Sequence, residues 1–150
     1  MQRRVFLQTI VASIMPVPLL AATNSVPLVE VYKSEWCGCC EAWIGHLKAN
    51  GFSVRAQNVN DTGEYRKKFG IPNDLGSCHT GVVQGYGIEG HVPAADIKRL
   101  LAERPKANGL AVPSMPLGSP GMEGPRKDPY DVFLVKVDNS YSVYKHYTGK

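Results

Sequence analysis

Three cysteines fall within four residues, in Trp36-Cys37-Gly38-Cys39-Cys40, where the hydrophobic pattern of the chain changes period. Before them, Val26 to Tyr32 alternates and is rich in β-branched residues, the pattern of a strand with one buried face. After them, from about Cys39 to Asn50, the apolar positions Cys40, Trp43, Ile44 and Leu47 recur at i, i+3, i+4 and i+7, which predicts a helix with one buried stripe. Gly51 supplies its stop. A strand therefore hands over to a helix at the cysteines. Cysteines so closely spaced close no useful loop, so chemistry is favoured over stapling.

The rest of the chain extends this α/β pattern. Phe52 to Val59 reads as a second strand and Thr62 to Phe69 as a short helix closed by Gly70. Thr80 to Val83 and Tyr86 to Glu89 read as paired strands joined by Gln84-Gly85. Pro93 opens a helix through Arg104, with Ile97, Leu100 and Leu101 as its stripe and Pro105 as its end. Asn108 to Asp128 is dense in Gly and Pro and is expected as one long loop of the kind that carries function. Asp131 to Val137 and Tyr141 to Tyr147, around Asp138-Asn139-Ser140, predict a C-terminal hairpin. No repeat interrupts the pattern. The expected fold is α/β, a central mixed sheet flanked by helices, with a Gly/Pro-rich loop and a C-terminal hairpin extension.

The first 22 residues read as an address instead. Met1 to Arg4 is a short basic start, Val5 to Leu20 is nearly all apolar, and Leu20-Ala21-Ala22 ends in small residues suited to a signal peptidase. Pro16 and Pro18 interrupt the apolar run, which argues against a membrane span. Arg3-Arg4-Val5-Phe6-Leu7 resembles the twin-arginine export signal, with Gln2 and Gln8 departing from its usual flanks. The division expected is a signal peptide over residues 1–22 and one domain over 23–150, in a compartment outside the cytosol. The chain has 17 basic and 13 acidic residues, and removing Arg3 and Arg4 leaves 15 against 13. So mild an excess gives no argument for nucleic acid, and no such partner is expected. Arg66-Lys67-Lys68 reads as a solvated helix face. Without the leader no membrane contact is expected, and without an exposed heptad or long apolar helix a monomer is.

Cys37 and Cys40 have the spacing of the redox pair of thioredoxins, and Trp36 before them strengthens the likeness. There the helix N-terminus stabilises the first thiolate. The sequence is thioredoxin-like in this respect, with Cys37 as exposed nucleophile and Cys40 as the buried resolving thiol. Cys39 departs from that pattern, since thioredoxins usually carry proline at its position. A third sulfur offers a disulfide wrong partners but offers a soft metal adjacent thiolates, the donor type that selects Cu(I).

Taken with Gly76-Ser77-Cys78-His79-Thr80, Tyr86-Gly87-Ile88-Glu89-Gly90-His91-Val92-Pro93 and Met115-Pro116-Leu117-Gly118-Ser119-Pro120-Gly121-Met122-Glu123, the cysteine run resembles the CopG-type proteins of copper-resistance gene clusters. The resemblance spans nearly the whole chain after the leader. It implies a thioredoxin-like fold and a periplasmic protein of copper homeostasis or resistance. It also implies several copper ions, as Cu(I) or Cu(II), beside the cysteine motif, with redox activity and other periplasmic copper-handling proteins as partners.

The remaining candidate ligands are weighed by their surroundings. Cys78, in a polar glycine-bounded loop, is expected to ligate, and His79 beside it either ligates or makes a loop hydrogen bond. His91 is expected in a structural hydrogen bond, His46 in solvent, and His146 gives little signal. Met115 and Met122 lie in the Gly/Pro loop, off any amphipathic stripe, which makes them candidate thioether ligands rather than core filler. Met115-Pro116 or Val112-Pro113 is a place for a cis proline. Trp36 and Trp43 are expected to pack and to shield the site. The metal set is thus Cys37, Cys39, Cys40, Cys78, Met122, Met115 and His79. The alternatives are a thiol-disulfide oxidoreductase using Cys37 and Cys40, a zinc or iron-sulfur site, and two structural disulfides.

Overall fold

The computed structural model describes residues 26–149. The expected leader, residues 1–22, lies outside them. Strand β1 (Leu28–Lys33) runs into helix α1 (Gly38–Ala49), as the change of period predicts, followed by β2 (Ser53–Asn58) and α2 (Thr62–Lys68). A 3-10 turn over Asn73–Leu75 leads to the hairpin β3 (His79–Val83) and β4 (Tyr86–Gly90), then α3 (Ala94–Glu103), β5 (Ala107–Val112), β6 (Tyr130–Lys136) and β7 (Tyr141–Tyr147). These make one mixed seven-stranded sheet in the order β2-β1-β3-β4-β5-β6-β7. β1 pairs parallel with β2, and β4 parallel with β5, while the other neighbours are antiparallel.

Helices cover both faces. On one face Trp43, Ile44 and Leu47 of α1 and Ile97 and Leu100 of α3 pack on Val29, Val31, Ile88, Leu110, Val112 and Val132. The stripe read from the sequence of α1 is the buried face of that helix. On the other face Ile71 and Leu75 meet Ala111, Val135 and Phe133, and Tyr65 of α2 stacks on Tyr32 at 3.8 Å. Each fully buried aliphatic side chain is worth roughly 1.5–3 kcal/mol, so the larger α1/α3 layer dominates the hydrophobic drive.

Strand β5 corrects the expected loop. Gly109-Leu110-Ala111-Val112 belongs to the sheet, with Leu110, Ala111 and Val112 fully buried. A strand between two neighbours and under helices reads as a short apolar run without alternation, and the Gly and Pro around it hid that run. Gly109 is there because the backbone of Gly87 on β4 leaves no room for a Cβ, which would lie 1.8 Å from the Gly87 oxygen. The loop is the shorter segment 113–129. All peptide bonds among the described residues are trans, including those before Pro113 and Pro116. Within the described residues no helix is long and apolar enough to cross a membrane.

Candidate metal centre

The cysteines stand at the N-terminus of α1, next to the start of β3. Cys37 is half-buried ahead of the helix and Cys40 is fully buried on its inner face, the division of exposure expected for the pair. They are joined as a disulfide with Cα atoms 5.3 Å apart, and Cys39 and Cys78 are free thiols. Cys39 Sγ lies 3.5 Å from Cys37 Sγ and 3.8 Å from Cys78 Sγ, and Cys40 Sγ lies 3.6 Å from Cys78 Sγ. All four sulfurs are within 4.8 Å of one another. The four cysteines named from sequence therefore form one cluster.

Cys78 faces a second set of donors. Its Sγ is 3.3 Å from His79 Nδ1 and 3.1 Å from His91 Nε2, and these three ligand atoms also lie within 4.8 Å of one another. His91 has the structural contact expected of it, Nδ1 lying 2.8 Å from the Pro120 carbonyl oxygen, and its other ring nitrogen is the one that faces Cys78. The signal for His91 lay in the hairpin. Thr80 pairs with Glu89 and Val83 with Tyr86, so the same register continued beyond Thr80 sets Cys78 opposite His91.

Burial sets the protonation of these groups. It pushes the Cys78 thiol up to about 12, helped by neighbouring Cys39, so without metal this thiol keeps its proton at neutral pH. It pushes His79 down to about 3, with nearby His91 acting in the same direction, and lowers His91 as well. Both rings are therefore neutral, the state in which imidazole binds metal. His79 Nε2 is buried without a hydrogen-bond partner, an orphan of the kind that folded proteins rarely leave. A soft ion fits this donor set of thiolates, neutral imidazoles and a thioether.

Two devices hold Cys78 and the loop in place. Glu89, fully buried, accepts from the Ser77 backbone N–H at 2.7 Å, from Arg66 Nε at 2.8 Å and, through its other oxygen, from Thr80 Oγ1 at 2.6 Å. Arg66 also donates to the Ser77 carbonyl at 3.0 Å. Burial raises the Glu89 pKa, and these hydrogen bonds and the Arg66 charge pull it back. Arg66 is thus no solvated helix residue: it crosses from α2 to clamp the peptide next to Cys78. The second device is Gly121, at φ +89°, where a Cβ would sit 2.7 Å from the Cys39 oxygen and 2.8 Å from the Trp43 nitrogen. Only glycine lets the loop lie this close to α1.

That loop brings Met115 Sδ to 3.8 Å from Cys39 Sγ. Met122 is anchored through its main chain, donating to the Ser119 oxygen and accepting from the Gly118 N–H, both at 2.8 Å, and the sulfur contact of the loop is made by Met115. Trp43 is buried as expected, 4.3 Å from the His79 ring and donating from Nε1 to the Val92 oxygen at 2.8 Å. Trp36 overturns its expectation: it is 88% exposed and shields nothing. His46 is also not solvated, since it is half-buried and its Nε2 accepts from the Ala94 N–H at the start of α3, at 3.0 Å. His146 pairs with Asp131 on the exposed terminal hairpin.

Comparison with known proteins bears on this arrangement. The family described as a protein of unknown function, DUF411, matches residues 75–122, the segment that carries Cys78, His79, His91 and both loop methionines. No curated protein matches the chain. Two solved structures of copper resistance protein CopG are similar over most of it. Form 1 aligns with a TM-score of 0.79 at 46% identity, covering 83% of this chain and 100% of the other. Form 2 aligns with a TM-score of 0.78, also at 46% identity, covering 82% and 99%. An identity this high over the full length of a relative exceeds what a shared fold alone produces, and the chain belongs to the CopG family of copper resistance proteins.

Proposed function

We propose that the mature chain is a periplasmic copper-binding protein of copper homeostasis or resistance, which holds Cu(I) as cargo, more than one ion at a time, and couples binding to thiol redox change. The observation that carries this reading is the convergence of two donor groups on one sulfur: Cys37, Cys39, Cys40 and Cys78 form the first, and Cys78, His79 and His91 the second. Two groups sharing a thiolate suit two or more ions better than one. Met115 supplies a thioether in contact with the first group, and Met122 a second one in the same loop. A relative named copper resistance protein, solved in two forms, makes copper the soft ion of choice over zinc or iron. The leader supports the periplasmic address.

Redox coupling follows from the Cys37–Cys40 pair. Closing that bond by exchange with a partner disulfide, which takes the two electrons and two protons and leaves as a dithiol, removes two of the four sulfur donors, so oxidation weakens the site and reduction by a dithiol restores it. A thioredoxin-like core is supported by the run β1-α1-β2-α2-β3-β4-α3, with β1 lying between parallel β2 and antiparallel β3. The same disulfide at a helix N-terminus favours a second reading, a thiol-disulfide oxidoreductase with Cys37 attacking and Cys40 resolving.

Elemental analysis with thiol counting on protein exported from copper-supplemented cells, repeated for Cys39→Ser, tests the choice. Copper handling predicts copper in the native protein and a clear loss in the variant. The oxidoreductase reading predicts that metal-free protein reduces a small disulfide substrate and that Cys39→Ser keeps this activity. A monomer serves either reading.

A further inference from the structure

We propose that Met115 is the surface receiver for Cu(I), which takes the ion from its donor and passes it inward to Cys39 and then Cys78 by ligand exchange. The proposal rests on the copper-binding reading and adds a direction of travel to it. Met115 is 47% exposed, its sulfur lies 3.8 Å from Cys39 Sγ, and Cys39 Sγ lies 3.8 Å from Cys78 Sγ. Beyond Cys78 comes His91 Nε2 at 3.1 Å, on a fully buried side chain. Exposure falls along this line from solvent to core.

The spacing is what exchange requires. Two sulfurs that bind one ion at about 2.3 Å each lie about 3.8 Å apart at the tetrahedral angle, so a single ion spans each sulfur-to-sulfur step without becoming free. Met115, Cys39 and Cys78 also all stand outside the Cys37–Cys40 disulfide.

The chemistry of the first donor suits capture. A thioether carries no proton, so it binds Cu(I) without waiting for deprotonation, whereas a thiol must lose its proton first. In the capture step a Cu–S bond to Met115 forms as one donor–copper bond breaks. In the transfer step a Cu–S bond to Cys39 forms as the thiol proton leaves to solvent and the Met115 bond breaks. Copper stays univalent throughout and no electron moves.

The loop holds the base of Met115 while leaving its side chain free. Ser114 adopts φ +61°, its N–H donates to the Gly76 oxygen at 3.1 Å, and its carbonyl accepts from Ser77 Oγ. These bonds fasten residue 114 to the loop of Cys78. Met115 is thus aimed by the main chain beside it.

The test is stopped-flow transfer of Cu(I) from a coloured bicinchoninate complex to fully reduced chain, wild type against Met115→Leu. Folding of the variant is checked by its near-UV spectrum and melting temperature. The first phase should slow by at least about tenfold, the low end of what losing a site contact costs. The equilibrium affinity, read by competition with the same chelator, should fall by clearly less than the rate, because the thioether is one donor among several in the filled site but the first on the way in. An unchanged rate in the variant, or an affinity that falls as far as the rate, overturns the proposal. A wild type that draws no copper from the chelator at all refutes instead the copper-binding reading beneath it.

Discussion

Cys78 Sγ lies 3.1 Å from Nε2 of His91, thirteen residues further along the chain, because the two-residue turn Gln84-Gly85 folds β4 back on β3. One thiol thereby belongs to both donor groups, and its loss should be felt in both. Cys78→Ser is expected to cut Cu(I) affinity by more than about a hundredfold, beyond the range for partners that only orient a ligand. Cys37→Ser removes a donor from one group only and should cost less. Competition with a chromophoric Cu(I) chelator measures both.

The Arg66–Glu89 pair gives a prediction about folding. Arg66→Met leaves a fully buried carboxylate without its counter-charge and should destabilise the chain by about 3–5 kcal/mol in chemical denaturation. Adding Glu89→Leu should recover only part of that loss, since it removes the unpaired charge but leaves the Ser77 N–H and the Thr80 hydroxyl without their acceptor. The double variant should still bind Cu(I) about 10–100-fold more weakly, because the Ser77 peptide next to Cys78 has lost its clamp.

Gly121→Ala probes the contact between the loop and α1. Its Cβ would meet the Cys39 oxygen and the Trp43 nitrogen, and its φ of +89° is costly for any residue with a side chain. A loss of about 1–3 kcal/mol is expected from the clash. Copper uptake should slow as well, since the same loop carries Met115.

His46 predicts an acid-side loss of stability. Burial holds its pKa below the ordinary 6.5, and its Nε2 must stay unprotonated to accept from Ala94. The unfolded chain therefore takes up a proton near pH 6.5 that the folded chain refuses, so stability is full above that pH and falls as pH drops through it. His79 and His91 are lowered too and add to the fall. His46→Gln, whose amide oxygen still accepts, should show a shallower decline in melting temperature from pH 7 to 5, roughly the window around the free imidazole value. A variant that declines as steeply as wild type would sink the assignment.

Much of this was legible in residue patterns because the physics was local. The stripe Cys40, Trp43, Ile44 and Leu47 needs only the helical period, and each of these residues is buried. The cysteine run needs only its place between a strand and that helix. Strand β5 was hidden because its burial is set by β4, β6 and the helices above, and the three-residue apolar run between Gly109 and Pro113 has no period of its own. The approach of His91 to Cys78 was hidden for a related reason: it depends on strand register, which the turn Gln84-Gly85 fixes. Trp36 shows the limit of analogy, since an aromatic beside cysteines suggests packing, yet nothing in the first turn of α1 gives it a surface to cover.

The account depends most on thiolates acting as the copper donors, and titration of Cu(I) into the fully reduced chain and into the chain with Cys37–Cys40 closed addresses that directly. The reduced chain should take up more than one ion tightly, and closing the disulfide should weaken uptake sharply. Equal affinity in both states, or no uptake by either, would contradict it.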